Sequence, residues 1–576
     1  MSDAAFDPSS FSLLFPEGEN DGSVPLSTSA VRDLRINETV KFLAGNDLPR
    51  KAFCEKILCR LPQSRDEIIA RQDVLDDLLN TAGAAESIKR MLPHIDSLNS
   101  LKELFSHSQH EKRSLLHSVS WRISILESYI ACLDILGGID DGKLVSKRLA
   151  ALVGYARHLN TLSVTQNCRK EIPGMRKKIE NVRSFSIGIN LNASHNPAGV
   201  TLLSVNDRRY EKNGIVKKLF GDGDDPVTDT RIFSLYKNDN DYPLLEDVPG
   251  EAQVEILKNM NQAMRPLFDQ ISKLMRTSLE PLDAELRRYT MENTTFLCNL
   301  RQELDFYLMI HELFCSFRNQ GLPVCKPVIC GKESRTLKVK DGYSLNLVLR
   351  NGALDEAKRG PIVTNDILID DDNRIGIVTG PNQGGKTTFL ETVGLIQIFA
   401  QAGLFVPGRE AQVSICDAVF THYQEDEKPD TKLGRFGEEA VRLKAIMDAV
   451  TPHSFVFLNE SFSSTHAGEA FYIAKDIISV LRQVGASVLF STHLHSLAEQ
   501  AEAMNAEPGV RGKVVSLVSE VDESGSGVSA LRRTFRIVKS QPKGKSYATD
   551  IAKHYGIDYG SMISSLEKRR FLREQG

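Results

Sequence analysis

Residues 380–387 read GPNQGGKT, which fits G-x-x-x-x-G-K-[ST] through Gly380, Gly384, Gly385, Lys386 and Thr387. Each residue type has a task in phosphate chemistry. Glycine lets the backbone turn tightly, so that successive N–H groups face anionic oxygens. A helix starting at the lysine turns its positive end toward the same point. The Lys386 ammonium reaches the outer phosphates, and the Thr387 hydroxyl offers an oxygen to Mg²⁺. The expected nucleotide-binding loop is Gly380, Pro381, Asn382, Gln383, Gly384, Gly385, Lys386, Thr387 and Thr388. It follows the apolar run IGIVT (375–379) and precedes helical FLETVGLIQIFA, the strand–loop–helix setting the pattern requires.

Two further strand ends carry the remaining chemistry. FVFL (455–458) delivers Asn459 and Glu460, where a phosphate-binding ATPase usually has an aspartate toward magnesium and a glutamate toward the attacking water. Asparagine keeps an acceptor oxygen and loses the charge, so Mg²⁺ binding is expected to weaken without disappearing. ASVLFSTH (486–493) reads as a third strand ending at His493. In this order of elements His493 is expected to sense the γ-phosphate; a surface histidine is the plain alternative. Glu460 and His493 are thus the expected catalytic pair, and Thr387 and Asn459 the expected metal-side pair.

The elements that position these residues start near 322, where short apolar strands alternate with helices, the texture of a parallel α/β sheet. Residues 1–28 look loose and are expected to be flexible. Residues 29–168 read as helices, among them SWRISILESYIACLDIL (120–136), which is apolar on nearly every turn as a buried helix would be. The run 169–248 is first basic and then β-rich. Phe185, Ile187, Ile189 and Leu191 alternate as in a half-buried strand, and AGVTLLSVND (198–207) reads as its partner. A helical return spans 249–321. Leu267, Ile271 and Leu274 mark one face, Leu297, Leu300, Leu304 and Leu308 another, and Pro266 and Pro281 divide the run.

Composition bounds the partners. A chain of 576 residues is too long for one hydrophobic core. A hydrophobic share of 41% and a charged share of 25% are those of a soluble globular protein. The net charge of -4 leaves no global basic field, so nucleic acid must be met by local patches. The N-terminal residues lack a signal-peptide pattern, and no apolar run approaches the ~20 residues of a membrane span. The nine cysteines form no CxxC pair and read as free thiols of a reducing cytoplasm rather than a zinc site. A cytoplasmic location is expected, with nucleoid association or the nucleus compatible.

TGPNQGGKTTFLETVGLIQIFAQAGLFVPG (379–408) resembles the ATPase domain of the MutS family, whose loop reads TGPNxGGKST. VFTHYQEDE (419–427) and STHLHSL (491–497) are similar to it as well. FRIVKSQPKGKSYATDIAKHYGID (535–558) resembles its closing segment, in which a Ser-Tyr pair begins a helix that packs on the twin subunit. The resemblance covers about residues 29–570. It implies a multidomain fold: an all-α core and lever with a small β-rich clamp-like insertion, followed by an α/β P-loop ATPase domain of the ABC type with C-terminal dimerisation helices. It also implies ATP and Mg²⁺ as cofactors, a homodimer, and DNA of unspecified structure as partner. The basic residues around the insertion are Arg169, Lys170, Arg176, Lys177, Lys178, Arg183, Arg208, Arg209, Lys212, Lys217 and Lys218. They read either as a solvated charged surface or as contacts to DNA phosphates.

The departures from the family pattern shape the expected function. Only about 30 residues precede the helical core, so the mismatch-reading domains are not expected here, and no nuclease-like domain is expected after 570. In the signature loop that faces the partner's nucleotide, Gly434, Arg435, Phe436 and Gly437, the glycine stands where the family has a serine. A hydroxyl aimed across the dimer is lost, with backbone N–H groups or Arg435 as substitutes. Because Lys386 and Glu460 are both present, the expected function is a DNA-binding, Mg-dependent ATPase, active but slow. It would be a dimeric clamp acting in DNA repair or recombination without mismatch recognition of the usual kind, with a repair protein as a further partner and no membrane. The alternative is a nucleotide-switched clamp or scaffold for a protein partner, with little hydrolysis.

Overall fold

The structure is a computed structural model describing residues 7–8, 10–15, 22–107, 115–180, 184–191, 193, 197–208, 294–352, 360–425, 434–462, 466–507, 512–522, 532–542 and 556–568. The expected helix faces at Leu267, Ile271 and Leu274, with Pro266 and Pro281, lie outside those residues. So do Arg183, Arg209, Lys212, Lys217, Lys218 and the pair Ser546 and Tyr547. The chain forms two compact units: residues 1–89, 140–152 and 302–576, and residues 90–139 and 153–301. The expected boundary at 322 therefore falls inside the first unit, which holds the N-terminal helices together with the α/β part.

In chain order the helices begin with α1 (Thr28–Asp33), α2 (Ile36–Ala44), α3 (Leu48–Leu58) and α4 (Arg65–Asn80). Ser27, Asp47 and Ser64 cap α1, α3 and α4, their side-chain oxygens accepting N–H groups that a helix start leaves unpaired. The stretch RDLRINETVKFL, which reads as one helical run, breaks at Arg35, whose φ of +55° is left-handed. Next come α5 (Ala84–His107), α6 (Leu115–Gly137), α7 (Lys147–Thr161) and α8 (Ser163–Glu180). The strands β1 (Ser184–Leu191) and β2 (Pro197–Asn206) then pair antiparallel, as their alternation predicts.

The expected start of the β-rich insertion at 169 is corrected, because α8 runs on to Glu180. The cause is long-range. Arg169 donates to Asp134 and Arg176 to Glu127, so two arginines seven apart on α8 meet two carboxylates seven apart on α6. The expectation of a flexible N-terminus is also corrected, for residues 10–15. Leu13 and Leu14 are fully buried, and the Glu303 carboxylate accepts from the Ser12 hydroxyl at 2.7 Å and from the Leu13 and Leu14 N–H groups at 2.7 and 3.0 Å.

Glu303 lies on α9 (Thr295–Asn319), where Leu297, Leu300, Leu304 and Leu308 are all buried, as the apolar spacing predicts. Beyond it come β3 (Val328–Cys330), β4 (Leu337–Gly342), α10 (Leu345–Gly352), β5 (Asn365–Ile369), β6 (Ile375–Thr379), α11 (Lys386–Gln401), β7 (Glu410–Ser414) and β8 (Val419–Tyr423). Then follow α12 (Arg435–Ala449), β9 (Phe455–Asn459), α13 (Ala467–Val484), β10 (Ser487–Ser491), α14 (His495–Glu499), α15 (Ala501–Asn505), β11 (Val514–Asp522), β12 (Arg532–Lys539) and α16 (Tyr559–Lys568).

The main sheet has the order β8-β9-β10-β6-β11-β12, parallel except for β12. A second sheet has the order β3-β7-β4-β5. In the main sheet Ile375, Ile377, Val456, Leu458, Val488 and Phe490 pack with Ala474, Ile478 and Leu481 of α13. Each large apolar side chain so buried contributes about 1.5–3 kcal/mol. This core fixes the carboxyl ends of β6, β9 and β10, from which the candidate site is built. Among the described residues no helix is long and apolar enough to cross a membrane.

Candidate nucleotide site

The loop after β6 keeps its shape through two contacts that exclude side chains. A Cβ on Gly384 would stand 2.5 Å from the Ser519 hydroxyl, and one on Gly380 would stand 2.7 Å from Ser519 Cβ. Ser519, on β11, instead donates to the Gly384 carbonyl at 2.7 Å. Gly385, at φ +90°, caps α11 without a side-chain acceptor, which leaves the N–H groups of the first turn to a ligand. A cavity of about 360 Å³ lies against residues 383–389 and is bordered by Glu460. Its size falls in the range of small-ligand pockets. Its apolar walls include Tyr343, Leu347, Pro361, Ile362, Val363 and Phe535, suited to a flat base beside a phosphate cradle.

Lys386 is buried and donates through Nζ to the carbonyls of Gly380 and Pro381, at 3.0 and 3.1 Å. Burial pushes its ammonium below the ordinary lysine range, with the Glu460 charge opposing. The Thr387 hydroxyl donates to the Asn459 amide oxygen at 3.1 Å, so two oxygens suited to a hard cation sit side by side. Glu460 Oε1 accepts from His493 Nε2 at 3.1 Å, and this bond holds the Glu460 carboxyl below its usual range. Thr387 thus meets Asn459, and Glu460 meets His493. The oxygens present fit Mg²⁺, and the loop with its cavity fits a nucleotide. Among the described residues no group of three or more His, Cys, Asp and Glu forms a separate metal cluster.

The signature-loop residues stand apart. Gly434 caps α12 without a side chain, and Arg435, Phe436 and Gly437 form its first turn. None of the four lines the cavity. Phe436 is partly exposed. Arg435 Nε lies 3.9 Å from Glu439 Oε1.

Sequence reasoning missed several contributors. Ser519 and Phe535 come from the far end of the chain, and no local pattern marks them. Pro361, Ile362 and Val363 lie in GPIVTND, where an apolar triplet before a strand is the available signal. His422 lies within VFTHYQEDE without an evident role, yet it is buried beside the Glu460 turn.

The sequence profile of MutS domain V matches residues 376–563, and that of the MutS2 N-terminal domain matches residues 63–320. The chain belongs to the MutS family. Domain V is the P-loop ATPase domain, and in this MutS-family chain its profile covers the loop and the other expected site residues. Three proteins named DNA mismatch repair protein MutS are similar to it. That of Solibacter usitatus is 32% identical over 219 residues, 38% of this chain and 24% of that protein. That of Chlorobium limicola is 31% identical over 252 residues, 42% of this chain and 27% of that protein. That of Desulforamulus reducens is 34% identical over 200 residues, 34% of this chain and 22% of that protein. The chain thus spans about a quarter of the length of these relatives.

Proposed function

We propose that this MutS-family chain is a Mg-dependent ATPase that acts on DNA as a homodimeric clamp in repair or recombination. The observation that carries the reading is the convergence of Lys386, Thr387, Asn459, Glu460 and His493 on one end of the sheet, beside a cavity of nucleotide size. Lys386 and the loop N–H groups would hold phosphates, and Thr387 and Asn459 would hold the metal. Mg²⁺, when bound, supplies charge neutralisation on the phosphate oxygens. Glu460 orients the attacking water and takes its proton, and His493 fixes the Glu460 carboxylate through their hydrogen bond. The relatives' name, DNA mismatch repair protein MutS, supports DNA as the partner.

Asn459 and Gly434 favour a second reading, a nucleotide-switched clamp or scaffold for a protein partner, with little hydrolysis. Steady-state ATP hydrolysis with Mg²⁺, for the unaltered chain and Glu460→Gln, with and without duplex and branched DNA at two salt concentrations, separates the two. Turnover that requires Glu460 and responds to DNA is the expected result. Firm ATP binding with no turnover under any condition would favour the switch.

A further inference from the structure

Glu460 sits in a strained turn. Its φ is +52° and that of Phe462 is +70°, so two residues other than glycine occupy the left-handed region on either side of Ser461. Such backbone persists only where its surroundings over-determine it. The Glu460 N–H donates to the Ser491 carbonyl at 2.9 Å, which ties the turn to β10. Two further ties come from side chains on other elements.

His422, on β8, places Nδ1 2.7 Å from the Ser461 hydroxyl and Nε2 3.1 Å from the Glu439 carbonyl oxygen. A carbonyl only accepts, so Nε2 carries the proton and Nδ1 is left as acceptor for the Ser461 O–H. Burial lowers the proton affinity of the imidazole, in keeping with a neutral ring and a single tautomer. The Ser461 hydroxyl also lies 3.1 Å from the carbonyl oxygen of His422, so among the described residues both of its contacts are to that residue. Glu439, on α12, accepts from the Phe462 N–H through Oε2 at 3.2 Å. His422, Glu439 and Ser461 are 1%, 2% and 4% exposed, so water does not compete for these bonds.

The second oxygen of Glu439, Oε1, has no hydrogen-bond partner among the described residues, and it is the atom that faces Arg435 at the start of α12. One buried carboxylate therefore stands between the first turn of α12 and the turn that carries Glu460. Neither His422 nor Glu439 lines the cavity.

We propose that His422 and Glu439 are positioning residues for hydrolysis: they clamp the Glu460–Phe462 turn, so that Glu460 keeps its place and follows helix α12. The proposal rests on the ATPase reading above and adds to it two residues that act through Glu460. Loosening the clamp displaces Glu460 and slows the chemical step. Nucleotide affinity, which belongs to the Lys386 loop, stays as it was.

The test measures kcat, KM, ATP affinity and thermal midpoint for Ser461→Ala, Glu439→Ala, Glu439→Gln and His422→Ala beside Glu460→Gln. Ser461→Ala and Glu439→Ala are expected to lower kcat by about tenfold and to leave KM and ATP affinity within about twofold. Glutamine keeps an acceptor for the Phe462 N–H, so Glu439→Gln is expected to retain most of the rate. Ser461→Ala removes a single hydroxyl and guards against the chance that His422→Ala fails to fold. Unchanged kcat in folded Ser461→Ala and Glu439→Ala overturns the proposal, as does a Glu439→Gln variant as slow as Glu439→Ala. Absence of Glu460-dependent turnover in the unaltered chain overturns the ATPase reading itself, and the clamp with it.

Discussion

The Thr387 hydroxyl donates to the Asn459 amide oxygen across 3.1 Å, joining the first turn of α11 to the end of β9. Neither oxygen is charged, which separates this pair from a hydroxyl–carboxylate pair. Asn459→Asp adds a charge at the same point without changing the shape of the side chain. Contacts to charged groups exceed neutral ones by about 1 kcal/mol, which converts to a Mg²⁺ requirement about five- to tenfold lower. A magnesium titration of steady-state ATP hydrolysis measures it. An unchanged or higher half-saturating concentration would remove residue 459 from the surroundings of the metal.

Lys386→Ala is predicted to weaken ATP binding by at least about 100-fold, since a buried ammonium aimed at phosphates contributes about 3 kcal/mol through charge-assisted hydrogen bonds. The thermal midpoint of the unliganded chain should move little. Among the described residues Nζ is bonded only to two loop carbonyls, and burial already disfavours its charge. Fluorescent-nucleotide titration and a melting curve check the two halves separately. Undiminished affinity in the variant contradicts the assignment of the loop.

The parts of this site that were legible in the sequence are those whose residues are neighbours in it. Gly380 to Thr388 declare themselves by spacing, and Asn459, Glu460 and His493 by their place at the ends of short apolar runs. Ser519 was not legible, because its task is to fill the space that Gly380 and Gly384 leave open from a strand far along the chain. Likewise, the composition of residues 10–15 suggests a loose tail. Glu303, distant in sequence, supplies the acceptor for the Leu13 N–H and, with the Ser12 hydroxyl, for the Leu14 N–H, which lets both leucines be buried. The basic run from Arg169 read as a change of domain because the partners that keep it helical, Asp134 and Glu127, are on another helix.

Glu303 gives stability a pH dependence. Burial raises its carboxyl above the ordinary value of 4.5, against the hydrogen bonds from Ser12, Leu13 and Leu14. Between those two values the folded chain keeps a proton that the unfolded chain has released. The contribution is therefore fully present below the unfolded pKa and is lost as pH rises through the raised folded pKa. Glu303→Gln should abolish this dependence and match or exceed the unaltered chain in stability at neutral pH. Glu303→Ala, which strands the Leu13 N–H and leaves the Leu14 N–H to the Ser12 hydroxyl, should cost about 1–3 kcal/mol. Chemical denaturation of the three proteins across pH 4–8 decides it, and a Gln variant with the same slope as the unaltered chain would place the titration elsewhere.

Arg176 and Lys177 are adjacent and basic, yet the structure gives them different employment. Arg176 donates to Glu127 from Nε at 2.9 Å and to the Ser124 hydroxyl at 3.3 Å, whereas Lys177 is exposed. Of the two, the lysine is the side chain available to a DNA phosphate. Lys177→Ala is predicted to reduce the slope of log affinity against log salt by about 0.9, the release of one counterion. Arg176→Ala is predicted to leave that slope alone and to lower the thermal midpoint instead, by the equivalent of about 0.2–1 kcal/mol for a partly exposed ion pair. DNA binding at several salt concentrations, with melting curves for both variants, tests the assignment. A salt slope that falls with Arg176→Ala would mean that the pair with Glu127 opens to let the guanidinium reach DNA.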